Sequence, residues 1–208
     1  LVKQRKCATV CPGAGGTYTI DKAGNGDFKS FRAAINALGC GIYGKVTFNV
    51  KNGTYNERLK LNEILGVSAN NTISFVGESR NGVTLSYTGA LDSMSVVHLE
   101  GADYFHFENM TLQNNSTVYS RGTRISNDAN YNSFKNVTFD IPLTAINGYC
   151  MSVYISDEGL NTVGNAGNYN VFDNCSFQGG YYGVRLYGPG TTTLNYGNEF
   201  NSCEFKNH

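Results

Sequence analysis

The stretch Tyr131–Asp140, YNSFKNVTFD, decides the fold because close copies of it recur along the chain. The copies share the frame Phe-x-Asn-x-x-Phe or Leu, in which Ser202 replaces Asn once, and they span Phe105–Gln113, Tyr169–Gln178 and Gly197–Lys206. The anchor residues of the frame are Phe107, Phe134, Phe172 and Phe200. One copy is too short to bury its own apolar face, so stacked copies predict a solenoid with one continuous core.

Apolar and polar residues alternate within each copy, as in a strand, and the alternation breaks once. The break falls at Asn109, Asn136 and Asn174. Asn enters the left-handed backbone conformation more easily than most residues, so we predict a corner there. We also expect the stacked amides to form an Asn ladder along the solenoid.

The upstream half adds short strands and one helix. Alternating apolar runs predict strands at 46–50, 73–76, 83–85 and 96–99. Phe28, Phe31, Ile35 and Leu38 recur at helical spacing, with Ser30 as N-cap, and predict an α-helix that covers the first turn. We therefore expect an N-terminal arm or linker over residues 1–15 and an all-β domain over residues 16–208. The last copy ends within a strand, which predicts truncation at the C-terminus, in a fragment of a larger exported parent protein.

Composition and charge exclude several classes of protein. The 208 residues carry 16 basic and 16 acidic side chains, so the formal net charge is zero. Nucleic-acid binding and polybasic attachment to a membrane both need an excess of positive charge. No apolar run approaches the roughly 18 residues of a membrane span. We expect neither a nucleic-acid partner nor a membrane span.

The residues around the predicted helix resemble a known group of proteins. Gly26–Ile35, Val46–Val50 and Gly53–Glu57 are similar to the opening of pectin-lyase-like right-handed parallel β-helices, including the pectin methylesterases. The order of Gly16–Ile20, Ala33–Leu38, Asn71–Phe75 and Val83–Thr88 is closer to right-handed β-helix repeat surface proteins of the Bacteroidetes. This resemblance implies a right-handed parallel β-helix in a secreted or cell-surface protein, exported by type IX secretion.

The catalytic motifs of pectin methylesterases have no counterpart here. That family keeps a Gln-Asp pair shortly after a strand like Cys175–Phe177, whereas this chain continues with Gln178, Gly179 and Gly180. The two carboxylates needed for nucleophilic and acid–base roles are therefore not indicated. His98 and His106 are interpreted as surface or turn residues rather than metal ligands. We assign no catalytic residue, no metal ligand and no cofactor, and Ca²⁺ is not indicated.

The strongest binding candidate is the segment Tyr181–Tyr187. If Val184 and Leu186 face the core, the side chains of Arg185 and Tyr187 face solvent together. Exposed aromatic rings stack on sugars, and a guanidinium donates to hydroxyl or carboxylate groups. The candidate ligand-binding residues are Tyr181, Tyr182, Arg185 and Tyr187. The alternative is a tyrosine-rich strand that only covers its neighbours.

Six cysteines permit up to three disulfides, which is typical of exported proteins. Cys175 and Cys203 occupy the same inward position in adjacent copies, within disulfide range, and stacked free thiols fit that position equally well. Cys7, Cys11 and Cys40 lie near the predicted helix, where one disulfide would fix the N-terminal arm.

Three functions follow from these patterns. The first is a non-enzymatic, adhesin-like surface module that contacts a polysaccharide or a cell-surface glycan. The second is a fragment of a polysaccharide-active lyase, hydrolase or esterase, with its catalytic residues elsewhere. The third is a structural stalk or spacer, since the fold alone does not fix a function.

Overall fold

The chain forms a parallel β-solenoid of about six turns, in a computed structural model that describes residues 13–156, 166–187 and 195–208. It contains one short helix, α1 (Phe31–Asn36). The strands are β1 (Ala14–Ile20), β2 (Ile42–Val50), β3 (Gly53–Asn56), β4 (Leu59–Leu61), β5 (Ile73–Gly77), β6 (Val83–Tyr87), β7 (Ser95–Glu100), β8 (Phe105–Asn114), β9 (Arg121–Ser126), β10 (Ser133–Asp140), β11 (Met151–Ile155), β12 (Val171–Asp173), β13 (Ser176–Gln178), β14 (Tyr182–Leu186), β15 (Glu199–Asn201) and β16 (Glu204–Lys206).

The strands form two sheets, and neighbouring strands in both sheets run parallel. Sheet A has eleven strands, with the main order β1-β2-β5-β8-β10-β12-β15. Sheet B has five strands, in the order β14-β11-β9-β7-β4. Most turns of the solenoid therefore contribute one strand to sheet B and strands to sheet A, whereas the turns that contain β1 and β15–β16 contribute, within the described residues, to sheet A alone. The predicted parallel β-helix architecture is confirmed.

The anchor phenylalanines stack in the core as the repeat predicts. The ring centroids of Phe107 and Phe134 lie 5.1 Å apart, those of Phe134 and Phe172 5.0 Å, and those of Phe172 and Phe200 4.8 Å. The column extends upstream to Phe75, whose ring centroid lies 5.5 Å from that of Phe107. Each buried ring contributes roughly 1.5–3 kcal/mol, so this column stabilises the stacking of successive turns.

The corners fall where the alternation breaks. Asn109, Asn136, Asn174 and Ser202 all have positive φ angles, between 51° and 55°. Asn136 Nδ2 donates to Asn109 Oδ1 at 2.7 Å, and Asn174 Nδ2 donates to Asn136 Oδ1 at 3.3 Å. These corners divide sheet A into two halves that enclose the core from different sides.

Helix α1 begins after Ser30, whose hydroxyl accepts the Ala33 N–H at 3.1 Å. The Glu57 carboxylate accepts the N–H groups of Phe31 and Arg32, each at 2.9 Å, and so satisfies two further donors of the first turn. Phe31 is fully buried, with its ring centroid 5.1 Å from that of Phe75. That the helix closes this end of the solenoid stays a prediction.

The ends of the predicted domain fall partly outside the described residues. Strand β1 begins at Ala14, so Ala14 and Gly15 belong to the first strand rather than to the predicted arm. Cys40 is disulfide-bonded, and Cys7 and Cys11 lie outside the described residues. None of the helical structure in the described ranges has the length and hydrophobicity needed to cross a bilayer.

The predicted bridge between Cys175 and Cys203 is not formed, and both are free thiols. Cys175 Sγ donates to Phe134 O and Cys203 Sγ donates to Phe172 O, each at 3.3 Å, so each thiol is directed at the backbone of the preceding turn. The alternative of stacked thiols in the core is the one found. Burial raises the pKa of Cys175 to about 12, which leaves almost no reactive thiolate.

Candidate functional site

Strand β14 places the candidate binding residues on sheet B. Val184 pairs with Val153 and Leu186 pairs with Ile155, and both partners are fully buried core residues. The intervening Arg185 pairs with Tyr154, whose side chain alternates away from the core partners but is only 8% exposed. Tyr181 and Tyr182 precede and open the strand, with exposed fractions of 51% and 38%. Val184 is partly buried against the core, whereas Leu186, on the last strand of the sheet, is 46% exposed, so the ligand-binding role of the segment stays a prediction.

Arg185 joins the tyrosines into one group. Its guanidinium carbon lies 5.3 Å from the ring centroid of Tyr187 and 5.7 Å from those of Tyr182 and Tyr154. The guanidinium carbon of Arg121, from β9, lies 4.4 Å from the Tyr154 centroid. We call these five residues the Arg–Tyr cluster. Each cation–π contact is worth about 0.5–2 kcal/mol, so the side chains hold one another in place.

The strand register continues the outer surface as a basic row. Lys60 pairs with His98, His98 with Arg124, Arg124 with Tyr154, and Tyr154 with Arg185, one residue for each turn. Neighbouring strands lie about 4.8 Å apart, so the cations Lys60, Arg124 and Arg185 share one line along the solenoid axis. Arg124, His98 and Tyr154 in this row are buried, at 4%, 4% and 8% exposure. Lys60 also forms an ion pair with Glu100 at 2.5 Å.

The pKa of His98 is lowered by its burial and by the cations around it. It is 4% exposed, and its Nε2 lies 2.9 Å from Ser126 Oγ. Burial, followed by repulsion from Arg124, Arg58, Lys60 and Arg121, lowers the pKa of His98 to about 3. The imidazole is thus neutral at physiological pH, in a region of positive potential.

The interpretation of the histidines as surface or turn residues is wrong. His98 is buried in β7, and His106 is half-buried in β8. His106 Nδ1 lies 2.6 Å from Ser133 Oγ on the paired strand, so both imidazoles bond a serine of the following turn. The alternation of apolar residues in β7 indicated a strand, but burial of its one histidine was not readable from that pattern.

A small polar pocket lies beside the basic row. Its volume is about 120 Å³, and it is lined by Arg58, Lys60, Asp92, Met94, Ser95, His98, Glu100 and Arg124. A larger cleft, of about 630 Å³, lies between α1 and the segment that follows β4. The lining of the small pocket carries both signs of charge, since Asp92 and Glu100 lie among its cations. The larger cleft lies near β4, at the opposite end of sheet B from β14.

Metal and carboxylate chemistry has little support in the residues of this site. Within the described ranges, no three His, Cys, Asp or Glu side chains lie close enough together to hold a metal ion. Glu100 is the single acidic residue in the five strands of sheet B, and it is bound to Lys60. The side chains of sheet B that face away from the core are therefore cations, aromatic rings and hydroxyls, and they are buried on β9 and β11 and accessible on β14.

Sequence reasoning found the β14 residues and missed their partners. Arg121 and Tyr154 come from β9 and β11, which lie in segments without the Phe-x-Asn frame. The number of residues between a sheet B strand and the next anchor phenylalanine varies from turn to turn. The sequence therefore does not show which residues of β9, β11 and β14 lie side by side. The one sequence feature that pointed to these partners was a basic or aromatic residue within each short run that alternates apolar and polar residues.

Solved structures are similar to this chain in fold. A single-residue mutant of pectin methylesterase in complex with a hexasaccharide superposes with a TM-score of 0.57 at 20% identity, over 77% of this chain and 48% of that one. Pectin methylesterases from Aspergillus niger and from carrot give TM-scores of 0.41 and 0.37 at 16% and 12% identity. They are matched over 87% and 85% of their lengths and over 96% and 95% of this chain.

The matched region therefore spans about half the length of the pectin methylesterase mutant. No protein-family model matches the chain, and no curated protein matches it. The first likeness establishes the pectin-lyase-like parallel β-helix fold.

Proposed function

We propose that the outer surface of sheet B binds an anionic polysaccharide, and that the protein is a non-enzymatic, carbohydrate-contacting module. The observation that carries this proposal is the Arg–Tyr cluster, in which Arg185 lies among three tyrosine rings. Aromatic rings contact the C–H faces of sugars, and a guanidinium binds a carboxylate with two parallel hydrogen bonds. A chain of uronic acids offers both groups in every unit.

The setting of the cluster favours binding. Four of its five side chains stand on paired strands and Tyr187 directly follows β14, so little conformational entropy is lost when a ligand binds. The basic row continues behind the cluster along the solenoid axis, where Arg124 and His98 are each 4% exposed, so the accessible contacts are those of β14 and its flanking tyrosines. The pectin methylesterase mutant of the same fold is a complex with a hexasaccharide, which supports a ligand of this class.

The chemistry of sheet B favours binding over catalysis. A mechanism with two carboxylates needs an acid–base group and a nucleophile at a fixed separation. Glu100 is the one carboxylate in the strands of this sheet, and it is 2.5 Å from Lys60. A neutral His98 with a pKa of about 3 is a poor general base.

An extracellular location belongs to the same proposal. A disulfide at Cys40 is typical of proteins that fold in an oxidising compartment. The resemblance to surface proteins of the Bacteroidetes favours a cell-surface, adhesin-like role, with type IX secretion as the export route. The rest of a larger parent protein is the expected covalent neighbour.

The test is calorimetric titration of the protein with a galacturonate hexamer. We expect binding by the wild type, and a loss of at least about tenfold in affinity for Arg185→Ala, since the charged contacts are removed. Tyr43→Ala is the matched control, because Tyr43 is 71% exposed on β2 of the other sheet and should bind as the wild type does. The proposal would be contradicted if the wild type did not bind the hexamer, or if Arg185→Ala bound it with the same affinity as the wild type.

A fragment of a polysaccharide-active enzyme is the second candidate, and the shared fold with pectin methylesterase favours it. Incubation with methyl-esterified galacturonate hexamer separates the two functions. Release of methanol, new reducing ends or unsaturated products would support the enzyme. A hexamer that binds but is not converted would support the binding module. If the hexamer were neither bound nor converted, the structural spacer would be the remaining function.

A further inference from the structure

Four tyrosines form a second surface feature, on the turns that lead from sheet B into sheet A. Tyr104, Tyr131 and Tyr169 precede β8, β10 and β12, and Tyr196 precedes β15. Each follows an acidic or amide residue, namely Asp103, Asn130, Asn168 and Asn195. We call the four aromatic side chains the tyrosine row. It shares no residue with the Arg–Tyr cluster.

The rings of the row stack with the period of the solenoid. The centroids of Tyr104 and Tyr131 lie 5.1 Å apart with planes 7° from parallel, and those of Tyr131 and Tyr169 lie 5.0 Å apart at 4°. Tyr196 follows at 5.2 Å, edge to face. Tyr131, Tyr169 and Tyr196 remain 44%, 43% and 54% exposed, so the stack presents a line of ring edges and hydroxyls to solvent.

The backbone of the row is held in an unfavourable conformation. Tyr104, Tyr131 and Tyr169 have φ angles of 55°, 58° and 55°, in the left-handed region that bulky residues rarely adopt. Such a conformation is unfavourable for a residue that carries a Cβ. It persists because side-chain oxygens of the preceding residues accept backbone N–H groups of the next turn: Asp103 that of Asn130, at 2.7 Å, and Asn130 that of Asn168, at 2.8 Å.

The hydroxyls of the row differ from those of other tyrosines in the described ranges. Tyr18, Tyr55 and Tyr87 bond Gly15 O, Lys51 O and Ser93 Oγ through their hydroxyls. Within the described residues, no such bond is made by the hydroxyls of the row. A stack that served only to cover the corner would not require four phenols, since phenylalanine packs equally well and avoids the polar atom.

The charge around the row differs from that of sheet B. Desolvation, with repulsion from Tyr169, Tyr104, Tyr196 and Asp103, raises the pKa of Tyr131, and no basic group contributes. Desolvation, with repulsion from Glu63 and Asp128, raises the pKa of Asp103. An anionic ligand would therefore be repelled here, whereas an uncharged ligand rich in hydroxyl groups would not.

We propose that the tyrosine row binds an extended, neutral β-1,4-linked glycan that lies along the solenoid axis. Successive sugars of such a chain are spaced by about the distance between turns of the solenoid, so each ring edge and hydroxyl meets one sugar. Phenol hydroxyls both donate and accept hydrogen bonds, which suits sugar hydroxyls. The strained backbone fixes the hydroxyls in a line, as a repeating ligand requires.

The experiment is a titration with cellohexaose. The double variant Tyr131→Phe/Tyr169→Phe keeps the ring stack and removes two central hydroxyls, and we expect at least about tenfold weaker binding than that of the wild type. Tyr43→Phe, on an exposed tyrosine of β2, is the matched control and should bind as the wild type does. Absence of cellohexaose binding by the wild type, or equal binding by the double variant, would overturn the proposal.

Nitration by tetranitromethane provides an independent readout. Bound cellohexaose should protect Tyr131 and Tyr169 and leave Tyr43 reactive, whereas equal nitration of all three with and without the glycan contradicts the proposal. Binding of the galacturonate hexamer distinguishes the tyrosine row from the site on sheet B. The double variant should bind the hexamer as the wild type does, so the two proposals can fail independently.

Discussion

At the scale of single residues, His98 sets a limit on stability in acid. The imidazole is kept neutral by burial and by nearby cations, so its pKa falls from 6.5 to about 3 on folding. Above pH 6.5 neither state binds the proton and His98 contributes nothing to the pH dependence. As the pH falls from 6.5 towards 3, the unfolded chain binds a proton that the folded chain excludes, and the folded state loses stability.

The first prediction follows from that difference. We expect His98 to remove about 2 kcal/mol of stability between pH 7 and pH 5. His98→Gln keeps an amide donor near Ser126 but does not titrate, so its free energy of unfolding should change less over this range. Urea unfolding at both pH values measures the change. Since the other titrating groups, including His106, remain in both proteins, equal pH dependence would contradict this account.

Corner residues carry the second prediction. Asn136 combines a φ of 53° with amide contacts to Asn109 and Asn174, and its Oδ1 also accepts from Arg80 at 3.1 Å. Asn136→Gly should cost about 1–2 kcal/mol, from the lost hydrogen bonds alone. Asn136→Ala should cost about 1 kcal/mol more, because alanine adds the strain of the left-handed conformation. Equal free energies of unfolding for the two variants would show that the conformation is unimportant.

At the scale of the strands, one buried ring joins three turns. Phe134 in β10 stacks between Phe107 of the previous turn and Phe172 of the next. Phe134→Ala should cost about 3–5 kcal/mol, through lost burial and the cavity that remains. Phe205→Ala is the comparison, at the exposed end of the neighbouring stack of Phe139, Phe177 and Phe205, where the side chain is 52% accessible and the cost should stay below about 1.5 kcal/mol. Similar costs measured by chemical unfolding would argue against a continuous core.

The same scale explains what the sequence could reveal. The Phe-x-Asn frame predicted the stacking of Phe134, the corner at Asn136 and the parallel pairing, because core side chains and turns follow local, periodic rules. The Arg–Tyr cluster depends on register between strands separated by connections of unequal length, so Arg121 and Tyr154 could not be placed beside Arg185. The left-handed tyrosines were also unpredictable, because a bulky residue there contradicts the usual preference for Asn or Gly.

At the scale of the whole molecule, a net charge of zero conceals two unlike surfaces. Sheet B presents the basic row with Arg185 among tyrosines, whereas the tyrosine row is neutral and borders acidic residues. A solenoid separates such surfaces naturally, since each outward column is independent of the others while the core is shared. Both columns run along the solenoid axis, so the proposals give one module two parallel binding sites for extended polysaccharides.

The affinities of the two proposed binding sites should depend differently on salt concentration. Raising the ionic strength from about 0.05 M to about 0.5 M shortens the range of electrostatic attraction to well below 10 Å. We expect the affinity for the galacturonate hexamer to fall by about tenfold or more, because its carboxylates are attracted by Arg185 and its basic neighbours. The affinity for cellohexaose should stay within about twofold, since hydrogen bonds and ring contacts carry that interaction. Calorimetry in both buffers measures each ligand. A parallel loss for the two glycans would mean that they share the basic surface, and salt-independent binding of the hexamer would remove the charged contacts of sheet B from its recognition.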